Sequence, residues 1–436
     1  MNYAETLDFL YSRLPVFHRI GAAAYKPGLE RTLELLESIG NPHVNFRSIH
    51  IAGTNGKGSS SHSLASVLQE AGYKTGLYTS PHLLDFRERI RIDGKMIPEA
   101  DVAEKVSGWK PQIDEIKPSF FELTVALAFD YFAREAVEIA VIETGMGGRL
   151  DSTNVIRPEL SLITNIGMDH QQFLGNSISE IAFEKAGIIK EKVPVVISEV
   201  SVESRQVFAR KAASCCSEII YASEQIHVED LGLQEGKRKV AISGAEAELN
   251  GEYLLSLPGS YQLKNLPGIL ASISLLRERG YQIPENAVRK GLEKTKENTG
   301  LRGRWDVLQV QPFLVCDIAH NEDGVRELVK QLEAIPCKNL WMVWGMVNDK
   351  DHRKVVSLLP KHARMLACQP DIPRALPAAE MQEILLEAGF NSIQIDNVGA
   401  AIAHCLAGAG KEDLIFVGGS TFTVASIPDR FFSGTD

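Results

Sequence analysis

The run Ile49-His50-Ile51-Ala52-Gly53-Thr54-Asn55-Gly56-Lys57-Gly58-Ser59-Ser60 constrains this chain more than any other. A short apolar segment enters a turn that holds three glycines and a lysine, and helix-forming residues follow. The spacing predicts a strand, a tight loop and a helix over about residues 59–71. Such a unit is a cradle for a polyphosphate. Glycines let backbone N–H groups approach without a Cβ clash. The helix N-terminus adds unpaired donors and a positive dipole end. Lys57 adds a mobile charge for the outer phosphates. The spacing departs from the usual G-x-x-x-x-G-K-[ST] pattern. Only Thr54 and Asn55 separate the first two glycines, Gly58 follows the lysine, and the first hydroxyl, Ser59, comes one place late. The plain alternative is a strand–helix turn with a surface lysine. That alternative leaves the density of glycine unexplained.

Composition sets the outer bounds. A length of 436 residues favours more than one domain. A formal net charge of −10 argues against general nucleic-acid binding, which needs a basic face. The six cysteines form no C-x-x-C pair, the first residues lack a signal pattern, and no apolar run reaches membrane length. A reduced, cytoplasmic, monomeric protein that binds neither membrane nor nucleic acid is the expectation.

Other strand ends add to the first. Residues 1–14 and 28–39 read as amphipathic helices, with a loop between them that includes Ala24, Tyr25, Lys26 and Pro27. Residues 74–79 form a strand ending in Thr79-Ser80-Pro81-His82, and a hydroxyl there can reach a nucleotide-bound cation. Residues 86–95 alternate around an Asp-Gly turn, which predicts a hairpin whose Arg87, Arg89 and Arg91 form either a solvated strand face or a patch for an acidic substrate. Ser119-Phe120-Phe121-Glu122 opens a long apolar helix. The strand at 137–142 ends in Glu143, followed by Thr144-Gly145-Met146-Gly147-Gly148-Arg149-Leu150-Asp151. A carboxylate there is the usual metal-holding acid of a P-loop enzyme, and a turn-capping carboxylate is its bland counterpart. A strand at 160–164 leads to Asp169-His170, and a helix over 178–190 carries Lys185. By themselves His170 reads as a hydrogen-bonded loop residue and Lys185 as a surface charge. Residues 224–257 are polar and turn-rich, which predicts an antiparallel appendage. A helix follows Asn265, and another spans 285–297.

The polar stretch 296–300 marks the expected boundary, giving domains 1–297 and 298–436. Beyond Arg304, five strands alternate with four helices, and Asp317, His320 and Ser420 sit at the carboxyl ends of strands. The fold class is α/β: a P-loop ATP-binding domain with a mostly parallel sheet, and a smaller Rossmann-like C-terminal domain.

Taken together, Gly53–Ser59, Thr79–His82, the 143–154 run, Asp169-His170, Glu184-Lys185-Ala186-Gly187-Ile188 and Asp317-Ile318-Ala319-His320-Asn321 resemble the folylpolyglutamate synthases, often bifunctional with dihydrofolate synthase, of the Mur ligase superfamily. The resemblance implies that residues 53–59 bind ATP phosphates and that Ser80, Glu143 and His170 hold two Mg²⁺ ions. It implies that Lys185 is carbamylated by CO₂ and that Lys57, Lys185, His170 and Glu143 form the catalytic group. Asn265, Arg304 and Asp317 would contact the nucleotide. Residues 24–27, His82, Ser119–Glu122, Arg149–Asp151, His320 and Ser420 would face the folate or dihydropteroate and the L-glutamate. Tyr261, Ile318 and Glu322 depart from the family pattern, beside the proposed contacts.

The implied reaction joins a carboxylate to an amine through an acyl phosphate. Its rivals are another amino-acid ligase of the superfamily, acting on a nucleotide-linked precursor, and a regulatory nucleotide switch.

Overall fold

The computed structural model describes residues 1–14, 28–348 and 350–432. The chain forms two compact units, Met1–Leu301 and Arg302–Asp436. The first is built on an eight-stranded sheet: β1 (Arg47–Ala52), β2 (Thr75–Tyr78), β3 (Ile90–Ile92), β4 (Lys95–Met96), β5 (Ile139–Glu143), β6 (Leu160–Ile163), β7 (Val195–Ile197) and β8 (Ile219–Tyr221). The strand order is β4-β3-β2-β5-β1-β6-β7-β8. From β2 to β8 the neighbours are parallel, and β3 and β4 extend one edge antiparallel. β1 lies inside the sheet, with β5 on one side and β6 on the other.

Both faces of the sheet are covered, which is why its strands read as continuous apolar runs. The period-two alternation divides them between two cores. Ile139 and Val141 of β5 join Ile49, Ile51, Leu64 and Val67 under the helices Lys57–Glu70, Gln262–Glu278 and Glu285–Glu293. Ala140 and Ile142 face the helix Phe120–Arg134.

The helix Glu285–Glu293 lies close on the P-loop helix Lys57–Glu70. A Cβ built on Gly291 would stand 2.5 Å from Val67 Cα. Gly291→Ala should therefore lower stability by about 1–3 kcal/mol, the usual scale of overpacking against a fixed neighbour. A thermal melt indistinguishable from that of the parent chain would contradict this packing.

Several expectations shift at their edges. The single helix expected over 285–297 is two, Glu285–Glu293 and Thr295–Thr299. Lys294 leaves the helical region, and the Thr295 hydroxyl donates to Gly291 O at 2.9 Å. The second helix is tied to the P-loop helix. Asn298 Nδ2 donates to Ser66 Oγ and Glu70 Oε1, both at 3.0 Å, and Thr299 Oγ1 lies 2.8 Å from His62 Nδ1.

The helix expected to reach residue 190 ends at Ala186. There the backbone of Arg149 crosses Gly187, and a Cβ on Gly187 would meet Arg149 Cα at 2.2 Å. The hairpin expected over 86–95 begins only at Ile90, because Phe86–Arg89 is a 3₁₀ turn. Asp85 caps that turn by accepting from Arg87 N at 2.8 Å, and Glu88 reaches back to Asp85 N at 2.8 Å. Arg89 and Arg91 are buried and do not form a solvated strand face.

The expected appendage is a three-stranded antiparallel sheet of β9 (His227–Gln234), β10 (Lys237–Ser243) and β11 (Gly251–Leu255), ordered β11-β10-β9.

The second unit has strands β12 (Asp306–Gln309), β13 (Phe313–Cys316), β14 (Leu340–Trp344), β15 (Arg364–Gln369), β16 (Ser392–Asn397) and β17 (Leu414–Gly418). Their order is β12-β13-β17-β14-β15-β16, parallel except for β12. This edge strand goes beyond the five expected. Trp305, Trp344 and Phe416 pack at tilted angles in the core of this unit. No helix among the described residues is long and apolar enough to cross a membrane.

Candidate active site

The carboxyl ends of β2, β5, β1 and β6 lie side by side, so the loops that follow them share one edge of the sheet. The loop after β1 is held open by its glycines. Gly53 has φ 154°, and a Cβ there would come within 1.8 Å of Thr164 Oγ1. Gly56 has φ 87°, and its Cβ would meet Asn265 Oδ1 at 2.2 Å.

The loop is fastened to the end of β6. Thr54 N donates to Asn165 O at 2.9 Å, and Asn55 N to Asn165 Oδ1 at 2.8 Å. Thr164 Oγ1 donates to Asn55 O at 2.6 Å, and Thr54 Oγ1 bonds Gly167 in both directions. The Thr54 and Asn55 amides therefore face the protein. The amides that open the helix at Lys57, Gly58 and Ser59 have no side-chain cap. An uncapped helix N-terminus is a seat for an anion. The late hydroxyl has a partner of its own, since Gln262 Nε2 donates to Ser59 Oγ at 3.0 Å. Asn265 donates to the same Gln262 at 2.8 Å, which places the start of the helix Gln262–Glu278 on the loop.

Two lysines share one acceptor. Lys57 Nζ donates to Gly53 O at 3.0 Å, and Lys185 Nζ donates to the same oxygen at 2.7 Å. Lys185 is buried, not the surface charge its sequence context allowed. Burial, with the charge of Lys57 second, pushes its amine down to about 7, against the opposing pull of Asp169 and Asp151. An amine in that range is substantially neutral at physiological pH, and a neutral amine is a nucleophile.

Glu143 ends β5, is buried, and accepts from Ser80 N at 3.3 Å. His170 caps the short helix Gln171–Leu174 in a left-handed conformation, with Nε2 3.9 Å from Asp169 Oδ2. Among the described residues, no three His, Cys, Asp or Glu side chains group closely enough to hold an ion by themselves. One carboxylate beside one hydroxyl residue is a hard-oxygen pair. That donor set fits Mg²⁺ bound through few protein ligands, with waters and substrate phosphates filling its other positions.

The loop after Glu143 is packed from below and above. Asp151 accepts from Gly145 N at 2.9 Å and Met146 N at 3.0 Å, so its carboxylate braces the turn. Desolvation raises its pKa, and these amides oppose the rise. The Phe121 ring lies over Gly145, where a Cβ would meet it at 2.4 Å. Arg149 pairs with Glu184 at 2.9 Å and covers Phe183, and Leu150 beside it is half-buried.

The Ser119–Glu122 group turns out to be partly a cap. Ser119 and Glu122 form a reciprocal box at the start of their helix, and Arg31 Nε donates to Glu122 at 3.1 Å. Phe120 is buried between Tyr11, Phe86 and the Arg89 guanidinium. His82 Nδ1 accepts from Arg89 Nε at 2.8 Å. Ala24, Tyr25, Lys26 and Pro27 lie outside the described residues.

In the second unit, Asp317 follows β13 and accepts from Trp305 N at 2.8 Å and Ala319 N at 2.9 Å. It thereby fixes the turn that carries Arg304. His320 Nδ1 lies 3.0 Å from Ile318 O. Ser420 is buried and caps the helix Thr421–Ala425, accepting from Thr423 N at 3.0 Å.

Comparison with known proteins joins these observations. Residues 51–275 match the Mur ligase middle domain, and residues 303–421 match the Mur ligase glutamate ligase domain. The dihydrofolate synthase/folylpolyglutamate synthase of Bacillus subtilis is 32% identical over 98% of this chain and 99% of its own length. The chain belongs to the folylpolyglutamate synthase/dihydrofolate synthase family of Mur ligases.

A Haloferax volcanii family member, a probable bifunctional folylpolyglutamate synthase/dihydropteroate synthase, is also 32% identical, and this chain spans 50% of its length. Among solved folylpolyglutamate synthases, the Mycobacterium tuberculosis protein complexed with ADP superposes with a TM-score of 0.86 at 28% identity, covering 100% of this chain and 98% of that one. An Escherichia coli relative in complex with DHPP and ADP gives 0.80 at 27% identity, covering 98% and 96%. A Yersinia pestis bifunctional folylpolyglutamate synthase/dihydrofolate synthase complexed with AMPPNP and an Mn ion gives 0.81 at 27%, covering 98% and 97%.

Reading the sequence of this family member misses Thr164, Asn165 and Gln262 as the parts that shape the phosphate loop. Their only signal is position, next to a strand end or a helix start. Hydrogen bonds across more than a hundred residues leave no local pattern.

Proposed function

We propose that this chain is an ATP-dependent ligase that adds L-glutamate to tetrahydrofolate and to dihydropteroate. The observation that carries this reading is the shared acceptor at Gly53. A phosphate loop alone serves many reactions. Here a second, buried lysine sits on the same carbonyl as the loop lysine.

In this reading the carboxylate of the folate or pteroate attacks the γ-phosphorus of ATP, and ADP departs. The acyl phosphate then meets the α-amine of glutamate; the C–N bond forms and phosphate leaves. The amides at Lys57, Gly58 and Ser59 and the Lys57 ammonium seat the phosphates and offset their charge. Ser80, Glu143 and His170 would hold Mg²⁺, two ions in our reading, which supplies further neutralisation of phosphate charge when bound. The neutral Lys185 amine adds to CO₂, forming an N–C bond and releasing a proton. The carbamate turns a cation into an anion at the phosphate edge. Arg304 and Asp317 are assigned to the nucleotide, and Phe121, His82 and the 149–151 segment to the pteridine substrate. The working protein is a monomer in this reading.

The test is ADP release with dihydropteroate or tetrahydrofolate, each with and without glutamate. Release that needs both the pteridine substrate and glutamate is expected. Release with a UDP-linked peptide substrate instead would move the chain to another branch of the superfamily, and binding without turnover would make it a nucleotide switch.

A further inference from the structure

His50 lies on β1, fully buried, three residues before Gly53, and no step above uses it. Its Nε2 stands 2.9 Å from Thr153 Oγ1. The Thr153 hydroxyl in turn donates to Asp151 Oδ1. That oxygen also accepts from Thr153 N at 3.0 Å, and the other carboxylate oxygen takes the amides of Gly145 and Met146. Both oxygens of Asp151 are thus acceptors.

A threonine hydroxyl has one proton to give, and here it goes to Asp151. The ring nitrogen of His50 must then be the donor. This selects the neutral Nε2–H tautomer. The charge state agrees, since burial, with Lys190 second, pushes His50 down to about 3. The other nitrogen, Nδ1, is buried without a hydrogen-bond partner among the described residues. An orphaned buried acceptor is a cost that an apolar side chain of similar size would avoid. The cost is offset only if Nε2–H does something an apolar group does not.

We propose that His50 and Thr153 are positioning residues for the ligase reaction: they hold the Asp151 carboxylate against the Gly145 and Met146 amides, and so fix the turn that follows Glu143 and lies beneath Phe121. The chain of bonds runs from the phosphate-loop strand β1 to the loop after its neighbour β5, where His50 is in register with Ile142. It rests on the assignment of that turn to the pteridine side of the site.

The experiment pairs spectroscopy with kinetics. Imidazole ¹⁵N spectra of the full-length protein should show an Nε2–H ring that does not titrate between about pH 5 and 9. His50→Leu should lower kcat/KM for the pteridine substrate about tenfold and leave KM for ATP within about twofold. His50→Gln, whose amide falls near Nε2, should recover most of that loss. His50→Asn, whose amide falls near Nδ1, should not.

If the His50 variants fail to fold, Thr153→Val against Thr153→Ser reads the same chain, with recovery expected only for serine. An Nδ1–H ring, a titration in that pH range, or equal kinetics for His50→Leu and His50→Gln would overturn the inference. A parent protein without glutamate-dependent ADP release overturns the ligase reading instead. The ring tautomer is measured all the same, and it still decides the hydrogen-bond chain.

Discussion

Lys185→Ala is expected to cut glutamate-dependent ADP release by about 10³-fold, the scale on which removing one preorganised charge-stabilising group acts. The physical reason is the environment of the amine. An ammonium at Lys185 faces Lys57 across a single carbonyl oxygen in a buried site. Neutralisation relieves that repulsion, and in the proposed carbamate, addition of CO₂ would reverse the sign of the charge.

The pH dependence follows from the direction of the shift. Folding lowers the Lys185 amine to about 7, so the neutral form grows as pH rises through that value. At limiting CO₂, the rate at which activity appears should rise from pH 6 to pH 8. In CO₂-depleted buffer the enzyme should start slow and recover on adding bicarbonate. Wild-type turnover in Lys185→Ala, or indifference to CO₂ at every pH, would end the carbamate assignment.

Glu143→Gln is expected to lower kcat by about 10²- to 10³-fold. The substitution keeps an oxygen acceptor for Ser80 N while removing the carboxylate charge. ADP affinity measured without divalent ions should hold, while the Mg²⁺ concentration needed for half-maximal turnover should rise. An unchanged Mg²⁺ titration would remove Glu143 from the metal site and leave it a turn cap. The two substitutions act through different charges, so each is measured singly before any double variant is interpreted.

Much of this site could be read from the residues because it is made of strand ends. Apolar runs announce β1, β2, β5 and β6, and whatever follows them falls on one edge of a parallel sheet. Gly53 and Gly56 stand out in the sequence as glycines of a tight turn, but the neighbours that require them, Thr164 and Asn265, come into view only in the fold.

Residues whose role depends on the other end of a contact were harder. Lys185 looks like any helix-surface lysine until the fold buries it on Gly53 O. Arg89 looks like a solvated strand residue until the Asp85–Glu88 capping box converts its segment to a 3₁₀ turn. Local capping bonds overrode the alternation there. The edge strand Asp306–Gln309 lacks a clear sequence signal, and its pairing with β13 is irregular between Val307 and Gln309. Ser119 and Glu122, which the family resemblance assigns to the substrate, also cap their helix, and Glu122 is a partner for Arg31.

The helix Thr295–Thr299 is stitched to the phosphate-loop helix through His62, Ser66 and Glu70. The polypeptide therefore departs the first lobe from a fixed mooring rather than from a loose end. Whatever slack the connector has must begin after Thr299, in the few residues around Gly300. An extra residue inserted within Thr295–Thr299 would shift Asn298 or Thr299 off its partners on the helix Lys57–Glu70, whereas one inserted after Gly300 would leave those bonds in place.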